Sequence, residues 1–520
     1  MAKTKKFYIT TAIPYVNAAP HIGHALEFVQ ADAIARFHKL NGFDVFLTTG
    51  ADENSLKNVH AAEKQKISVE KLCETNAKIF KGFAEKIGLS FNVFLRSSDK
   101  KSHWPGIEKL WELCNKSGDI YKKKYKGLYC VDCEAFYTEK ELENGLCPEH
   151  KTKPELVEEE NYFFRLSKYQ EKLQKLIEND VLKIIPENKK NEILSFIKQG
   201  LEDFSVSRSV KRAKGWGIPV PGDSSQIIYV WFDALGIYLT GVGFGNNQIK
   251  FNRWWPADMH VIGKGIIRFH AIYWPAILLS TGLELPKSIF VHGYVTVEGQ
   301  KMSKSLGNVA EGLGLLKKYE VDGLRYYLLK EIPTFEDGDF SEKSLVAKIN
   351  NELVGNIGNF IYRALSFIHT KFGGRVPEGG ELDDIDEEFE KRIKEAAKNI
   401  GNELENIELE KGLRKILEFS GFCNQYFQKK EPWRDLERAK SCLYLSINAV
   451  RSLAIALEPF LPSSAERLWN QLNLKDSVHE QKWDSLSKIE IKPKHKINRP
   501  EILFKKVEDV DIDNQLTKLR

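Results

Sequence analysis

The chain of 520 residues contains no apolar run approaching the ~20 residues that cross a membrane. Its first residues do not read as a secretory leader. Residues 1–6 are polar and basic, and the apolar stretch that follows is broken at Pro14 before any small-residue cleavage site. Cysteine is scarce and odd in number, at seven, which argues against a disulfide framework and for a reducing, cytoplasmic setting. Charge of one sign is lacking too: Lys+Arg 77 against Asp+Glu 72 leaves only +5. That balance permits a polyanionic partner without requiring one, because a local basic face matters more than the total. There is no internal repeat and no low-complexity tract. What remains is 42% hydrophobic and 29% charged, enough for a large core and a solvated surface. At several times the usual ~100–150 residues of a domain, more than one domain is expected.

Residues 6–13 read as a buried strand, 25–40 as a helix and 44–50 as a second strand, the opening of a parallel α/β sheet. The same texture returns at 227–232, 259–263 and 288–297, with a helix over about 266–280. Between them lies a Lys- and Glu-rich segment that reads as an insertion splitting one sheet into two halves. From about residue 347 the pattern turns helical. Phe389, Ile393, Ala396 and Ile400 fall on one helix face, as do Leu443, Ile447, Val450, Ala454 and Leu457.

Three constellations carry chemistry. His21-Ile22-Gly23-His24 follows a strand and opens a helix, where free N–H groups and positive potential attract anions. The plain alternative is two surface histidines capping a helix. Lys301-Met302-Ser303-Lys304-Ser305 sits between Gly299 and Gly307, so two lysines ride on a loop able to close on a triphosphate. Cys130-x2-Cys133 and Cys147-x2-His150 form two short pairs with the ligand types and spacing of a zinc knuckle. A closed set of four protein ligands leaves no open position, so the metal would be structural. Cys73, Cys114, Cys423 and Cys442 fall in helix-like stretches and read as core.

Residues 14–24 (PYVNAAPHIGH) together with 301–305 (KMSKS) resemble the paired signatures of class I aminoacyl-tRNA synthetases. The strings YVWFDA at 229–234, HVIGK at 260–264 and FVHGY at 290–294 narrow the resemblance to the methionyl-tRNA synthetase family. It runs from Lys6 to about Glu458. It implies an α/β fold with a split Rossmann-type parallel sheet and a zinc-knuckle insertion, followed by a C-terminal all-α helical bundle. The expected organisation is 1–114 and 227–297 as the two catalytic halves, with 115–226 as the insertion. Residues 298–346 would form the lysine loop and stem-contact region, 347–490 the helical anticodon-binding domain and 491–520 the tail.

The resemblance also implies roles. His21, His24, Lys301 and Lys304 are the expected catalytic groups. ATP would lie on His21, Gly23, His24, Glu27, Lys301 and Lys304, with Mg2+ screening its phosphates. Methionine would be held by Ile13, Tyr15, Asp52, Trp231, Ala234, Tyr238 and His292, with Asp52 on the ammonium and Tyr238 with His292 at the thioether. Asn359 and Arg363, one helical turn apart, and the exposed Trp433 would read the anticodon of tRNA(Met). One structural Zn2+ would sit on Cys130, Cys133, Cys147 and His150. No membrane partner is implied. With no further dimerising segment after the charged tail, a monomer is expected.

Two departures stand out. Where the family usually shows Asp-Glu-His-Gly, this chain has Asp52-Glu53-Asn54-Ser55, and where many members have Gly-Lys-Asp it has Gly263-Lys264-Gly265. Other readings are a class I synthetase for leucine, isoleucine, valine or cysteine, a zinc-bearing tRNA-binding protein, and a small nucleotidyltransferase. The insertion is too short for the editing domain of the branched-chain enzymes. The intact signatures argue against the binding protein, and the long helical half against the nucleotidyltransferase.

Overall fold

The computed structural model describes residues 5–130, 135–137, 139, 142–148, 151–297, 300–301 and 310–508, with 135, 136, 300, 301 and 438 described by backbone alone. Cys133, His150 and Lys304 therefore lie outside the described residues, and nothing is said of the Lys301 side chain.

Strand β1 (Lys6–Thr11) is buried at every position after the first. Helix α1 (Ile22–Leu40) crosses over to β2 (Asp44–Ala51), which pairs parallel to β1 with Ile9 opposite Leu47. Beyond it lies β3 (Val93–Arg96). On its other side β1 pairs directly with Met259–Gly263, Thr10 opposite His260, followed by Ser288–His292 and Lys183–Ile185. The result is a six-stranded parallel sheet joined across the split. Between β1 and Met259–Gly263 the strand order reverses, and such a switch point opens a crevice at the strands' carboxyl ends.

Side chains alternate across this sheet. Phe7, Ile9, Leu47 and Val261 enter the core that contains α1, and that core runs on without interruption into the C-terminal helices. Tyr8, Phe46, Ile262 and Ile289 enter the core on the opposite face. In the helical region Phe389, Ile393, Ala396 and Ile400 are buried along Asp384–Glu405, and Leu443, Ile447, Val450, Ala454 and Leu457 along Leu436–Leu457. Each of the Leu, Ile, Val and Phe side chains among them contributes about 1.5–3 kcal/mol. Cys73, Cys114, Cys423 and Cys442 are buried on helices, as their surroundings in the sequence suggest.

The inserted segment builds a four-stranded antiparallel sheet. Its Lys-rich strand Ile120–Cys130 pairs with the Glu-rich Glu155–Phe164, Lys124 opposite Glu160 and Lys126 opposite Glu158. The unusual composition is thus two oppositely charged strands facing one another.

Three elements differ from the sequence reading. The run at 227–232 is not one strand. Asp223–Ile228 belongs to a small antiparallel sheet, Tyr229 turns the chain at φ −62 and ψ 135, and Val230–Leu235 is helical. A short apolar run fits either period, and tertiary packing decides. Lys183–Ile185, inside the segment read as insertion, supplies an edge strand of the main sheet. The strand expected over 288–297 breaks at Gly293, where a Cβ would lie 2.2 Å from the Glu336 carbonyl carbon, and Val295–Val297 joins a separate sheet with Gly338–Phe340. Among the described residues no helix is long and apolar enough to cross a membrane.

Candidate active site

A cavity of about 340 Å3 opens at the carboxyl end of β1. Its wall includes Ile13, Tyr15, His21, Gly23, His24, Glu27, Asp52, Trp231, Ala234, Tyr238 and His292, residues drawn from both halves of the split sheet.

The two histidines of the first signature cap α1 and face the cavity at once. The His21 Nδ1 accepts from the Gly23 N–H at 3.1 Å, and the His24 Nδ1 accepts from the His21 N–H at 3.1 Å. The rings stack at 3.8 Å. With both Nδ1 atoms used as acceptors, each neutral ring carries its proton on Nε2, the donor a phosphate oxygen needs. Burial, with His21 alongside, pushes His24 well below the usual imidazole range, which favours the neutral ring.

Asp52 ends β2. Its N–H donates to the Pro14 carbonyl at 2.9 Å, and Tyr15 bridges to it. Trp231 lies flat on Phe269, centroids 3.8 Å apart and planes 3° from parallel. Tyr8 holds the backbone of Tyr238 through a 2.7 Å bond from its hydroxyl to the Tyr238 carbonyl. The Tyr238 phenol is itself raised by burial and by the nearby Glu27, Tyr8 and Asp52.

The sequence reading places Tyr238 and His292 at the thioether, and both line the cavity together with His270. Tyr238 bonds to His270, Oη to Nε2 at 2.8 Å. His292 reaches Glu27 at 3.0 Å and its neighbour's carbonyl at 2.8 Å. The His270 Nδ1 lies 2.9 Å from the Ile266 carbonyl, an obligate acceptor, so Nδ1 carries the proton and Nε2 accepts from Tyr238. Sequence reasoning missed His270. The available signal was its place on the helical segment directly after the HVIGK strand. Next to Gly265, Lys264 pairs with Asp337 at 2.7 Å.

The α-helix Asn359–Lys371 places Asn359 and Arg363 beside the helix Leu409–Lys430. Asn359 donates to Asn424 at 3.0 Å and Arg363 to Gln428 at 3.3 Å. The Arg363 guanidinium lies 5.6 Å from the centre of the Trp433 ring, and Trp433 is 44% exposed. All three expected anticodon residues therefore share one surface.

Of the expected zinc ligands, Cys130 and Cys147 are described, and both are buried. Thr152 links them: its Oγ1 lies 3.7 Å from the Cys130 Sγ, and its carbonyl accepts the Cys147 N–H at 2.8 Å. Asn144 and Gly145, at φ 53 and 75, make the tight turn before Cys147. Two buried cysteines tied to the same residue beside a tight turn are of the donor type that a zinc knuckle uses. Among the described residues no group of three ligands gathers.

Comparison with known proteins identifies the family. The family model described as "tRNA synthetases class I (M)" matches residues 7–154 and 140–365, and "Anticodon binding domain of methionyl tRNA ligase" matches 376–519. The chain belongs to the methionyl-tRNA synthetase family. The methionine–tRNA ligase of Thermotoga maritima is 39% identical over 97% of this chain and 81% of its own length. That of Brucella suis is 41% identical over 89% of this chain and 91% of its own. The Mycobacterium tuberculosis methionyl-tRNA synthetase in complex with methionyl-adenylate superimposes with a TM-score of 0.92 at 38% identity, covering 96% of this chain and 100% of its own. The apo form of that synthetase gives a TM-score of 0.85, covering 97% of this chain and 99% of its own.

Proposed function

We propose that the cavity at the end of β1 is where this chain activates methionine. The chain is a class I methionine–tRNA ligase. It joins L-methionine to ATP as methionyl-adenylate, then transfers the methionyl group to the 3′-terminal ribose of tRNA(Met). In the first step a methionine carboxylate oxygen attacks the α-phosphorus, and the bond to the β-phosphate oxygen breaks to release pyrophosphate. In the second a ribose hydroxyl attacks the acyl carbon and AMP leaves. A carboxylate is already ionised at neutral pH, so no strong base is needed for the first step. Positioning and charge stabilisation do the work.

The observation that carries this reading is the cavity itself, which collects residues from both halves of the sheet. His21 and His24 would donate from Nε2 to phosphate oxygens, with Gly23 and Glu27 along the nucleotide, and Lys301 and Lys304 would neutralise the developing charge. Mg2+ accompanying ATP would screen its phosphates. Asp52 and the backbone at Ile13 would take the methionine ammonium, while Tyr15, Trp231 and Ala234 would enclose the side chain. The Tyr238–His270 bond favours His270 over His292 as the partner of Tyr238 at the thioether end, a weak acceptor that suits aromatic walls. Zn2+ on Cys130, Cys133, Cys147 and His150 would hold the tip of the insertion. Asn359, Arg363 and Trp433 would read the anticodon by stacking and hydrogen bonds. A cytoplasmic monomer, with catalytic halves at 1–114 and 227–297 flanking the insertion, is the arrangement that accords with this reading.

One experiment separates the two ends of the molecule. Lys304→Ala should abolish methionine-dependent pyrophosphate–ATP exchange while tRNA binding stays measurable. Trp433→Ala should spare exchange and weaken charging by about 10-fold or more. Equal loss of both activities in Trp433→Ala would make that residue a core element rather than a reader.

A further inference from the structure

The departure at Asn54 has a structural counterpart. Asn54 is 9% exposed, and its Nδ2 donates to the Asp233 Oδ2 at 2.6 Å and to the Ser97 carbonyl at 3.0 Å. Asp233 is 1% exposed and sits between Trp231 and Ala234 on the helix Val230–Leu235. Its other oxygen takes the His103 Nε2 at 2.5 Å, and the His103 Nδ1 meets the Thr240 hydroxyl at 2.7 Å. Asp52, two residues before Asn54, lines the cavity, as do Trp231 and Ala234. A buried amide therefore ties the loop bearing Asp52 to the helix bearing Trp231 and Ala234.

We infer that Asn54 is a positioning residue that fixes the distance between the ammonium end and the side-chain end of the amino-acid site. This rests on the reading that Asp52, Trp231 and Ala234 hold methionine. A carboxamide suits the task. It is neutral, so it survives burial, and its two N–H donors match one carboxylate oxygen and one carbonyl. Asp233 is anchored independently by His103, so the loop is pinned to a fixed point. Loosening that tie changes the span between the two ends without touching the nucleotide half, which hangs on α1. The effect belongs on amino-acid binding and on the length of side chain accepted.

The test is pyrophosphate–ATP exchange with the full chain, comparing methionine, the one-methylene-longer ethionine and ATP. Asn54→Ala should raise the methionine KM about 10-fold, leave the ATP KM within about 2-fold, and reduce the preference for methionine over ethionine. The double variant Asn54→Ala/Asp233→Ala should have a methionine KM no worse than the worse single variant, since one bond is being removed twice. If Asn54→Ala does not fold, Asn54→Ser, too short to reach Asp233, takes its place. Equal rises in both KM values, an unchanged ethionine preference, or multiplying effects in the double variant would overturn the inference. Asp52→Asn separates it from the reading beneath. If Asp52→Asn leaves the methionine KM unchanged, that reading fails. If it raises the KM and the Asn54 variant does not, only the inference about Asn54 fails.

Discussion

At the scale of single residues, burial decides what the histidines do. His270 is fully enclosed, and desolvation pushes its pKa down from the ordinary 6.5 to about 4. It folds as a neutral ring with its proton on Nδ1. Between pH 4 and 6.5 the unfolded chain binds a proton at this position that the native state refuses, so stability rises with pH across that window. The full contribution is present above pH 6.5 and is lost on acidification, by on the order of 3 kcal/mol for His270. His24 and His260 are lowered by burial as well and act in the same direction. Urea titrations from pH 4 to 7 should show the stability falling in acid, and His270→Gln should flatten that slope. An unchanged slope would mean that the ring titrates normally. The histidine pair at 21 and 24 was legible in the sequence because its chemistry is local, a strand, a turn and a helix start. His270 was not, because its role comes from Tyr238, which reaches it only through tertiary packing. Asp233 and His103 were hidden for the same reason: 130 positions separate them in the chain.

At the scale of elements, α1 connects the catalytic and helical parts. It begins at the cavity with His21, and one of its faces carries Asp32 and Arg36. Asp32 binds Arg36 and the fully buried Arg325, each at 2.7 Å, and Arg36 reaches Glu458 at 2.9 Å. Burial opposes ionisation of Asp32, yet the two guanidiniums hold its carboxyl below the usual range. Arg325 also donates to the carbonyls of Ile87, Pro459 and Phe460, so it fastens α1, the loop before β3 and the turn after the helix Leu436–Leu457 together. Arg325→Met would leave these acceptors unpaired and should cost about 3–5 kcal/mol in a urea titration. A loss under about 1 kcal/mol would show that the network contributes little. Such a joint cannot be read from periodicity. The same limit explains the segment at 227–232. Its apolar run gave no means of choosing strand or helix, whereas the long helices Asp384–Glu405 and Leu436–Leu457 declared themselves through sustained spacing.

At the scale of the whole molecule, one continuous core runs from the parallel sheet into the helical bundle that carries Trp433. The parallel sheet and helical region were legible because strand–helix–strand texture and helical spacing extend over many residues. Closure of the sheet by Lys183–Ile185 was not, since three residues carry no periodic signal. The cavity proposed for the amino acid lies at the sheet's switch point, and Asn359, Arg363 and Trp433, proposed to read the anticodon, lie together in the helical region. The account's central claim is that this cavity activates methionine. Amino-acid-dependent pyrophosphate–ATP exchange by the purified chain tests it most directly. Methionine should support exchange, and leucine, isoleucine, valine and cysteine should not. Exchange with leucine but not methionine, or with no amino acid at all, would contradict it.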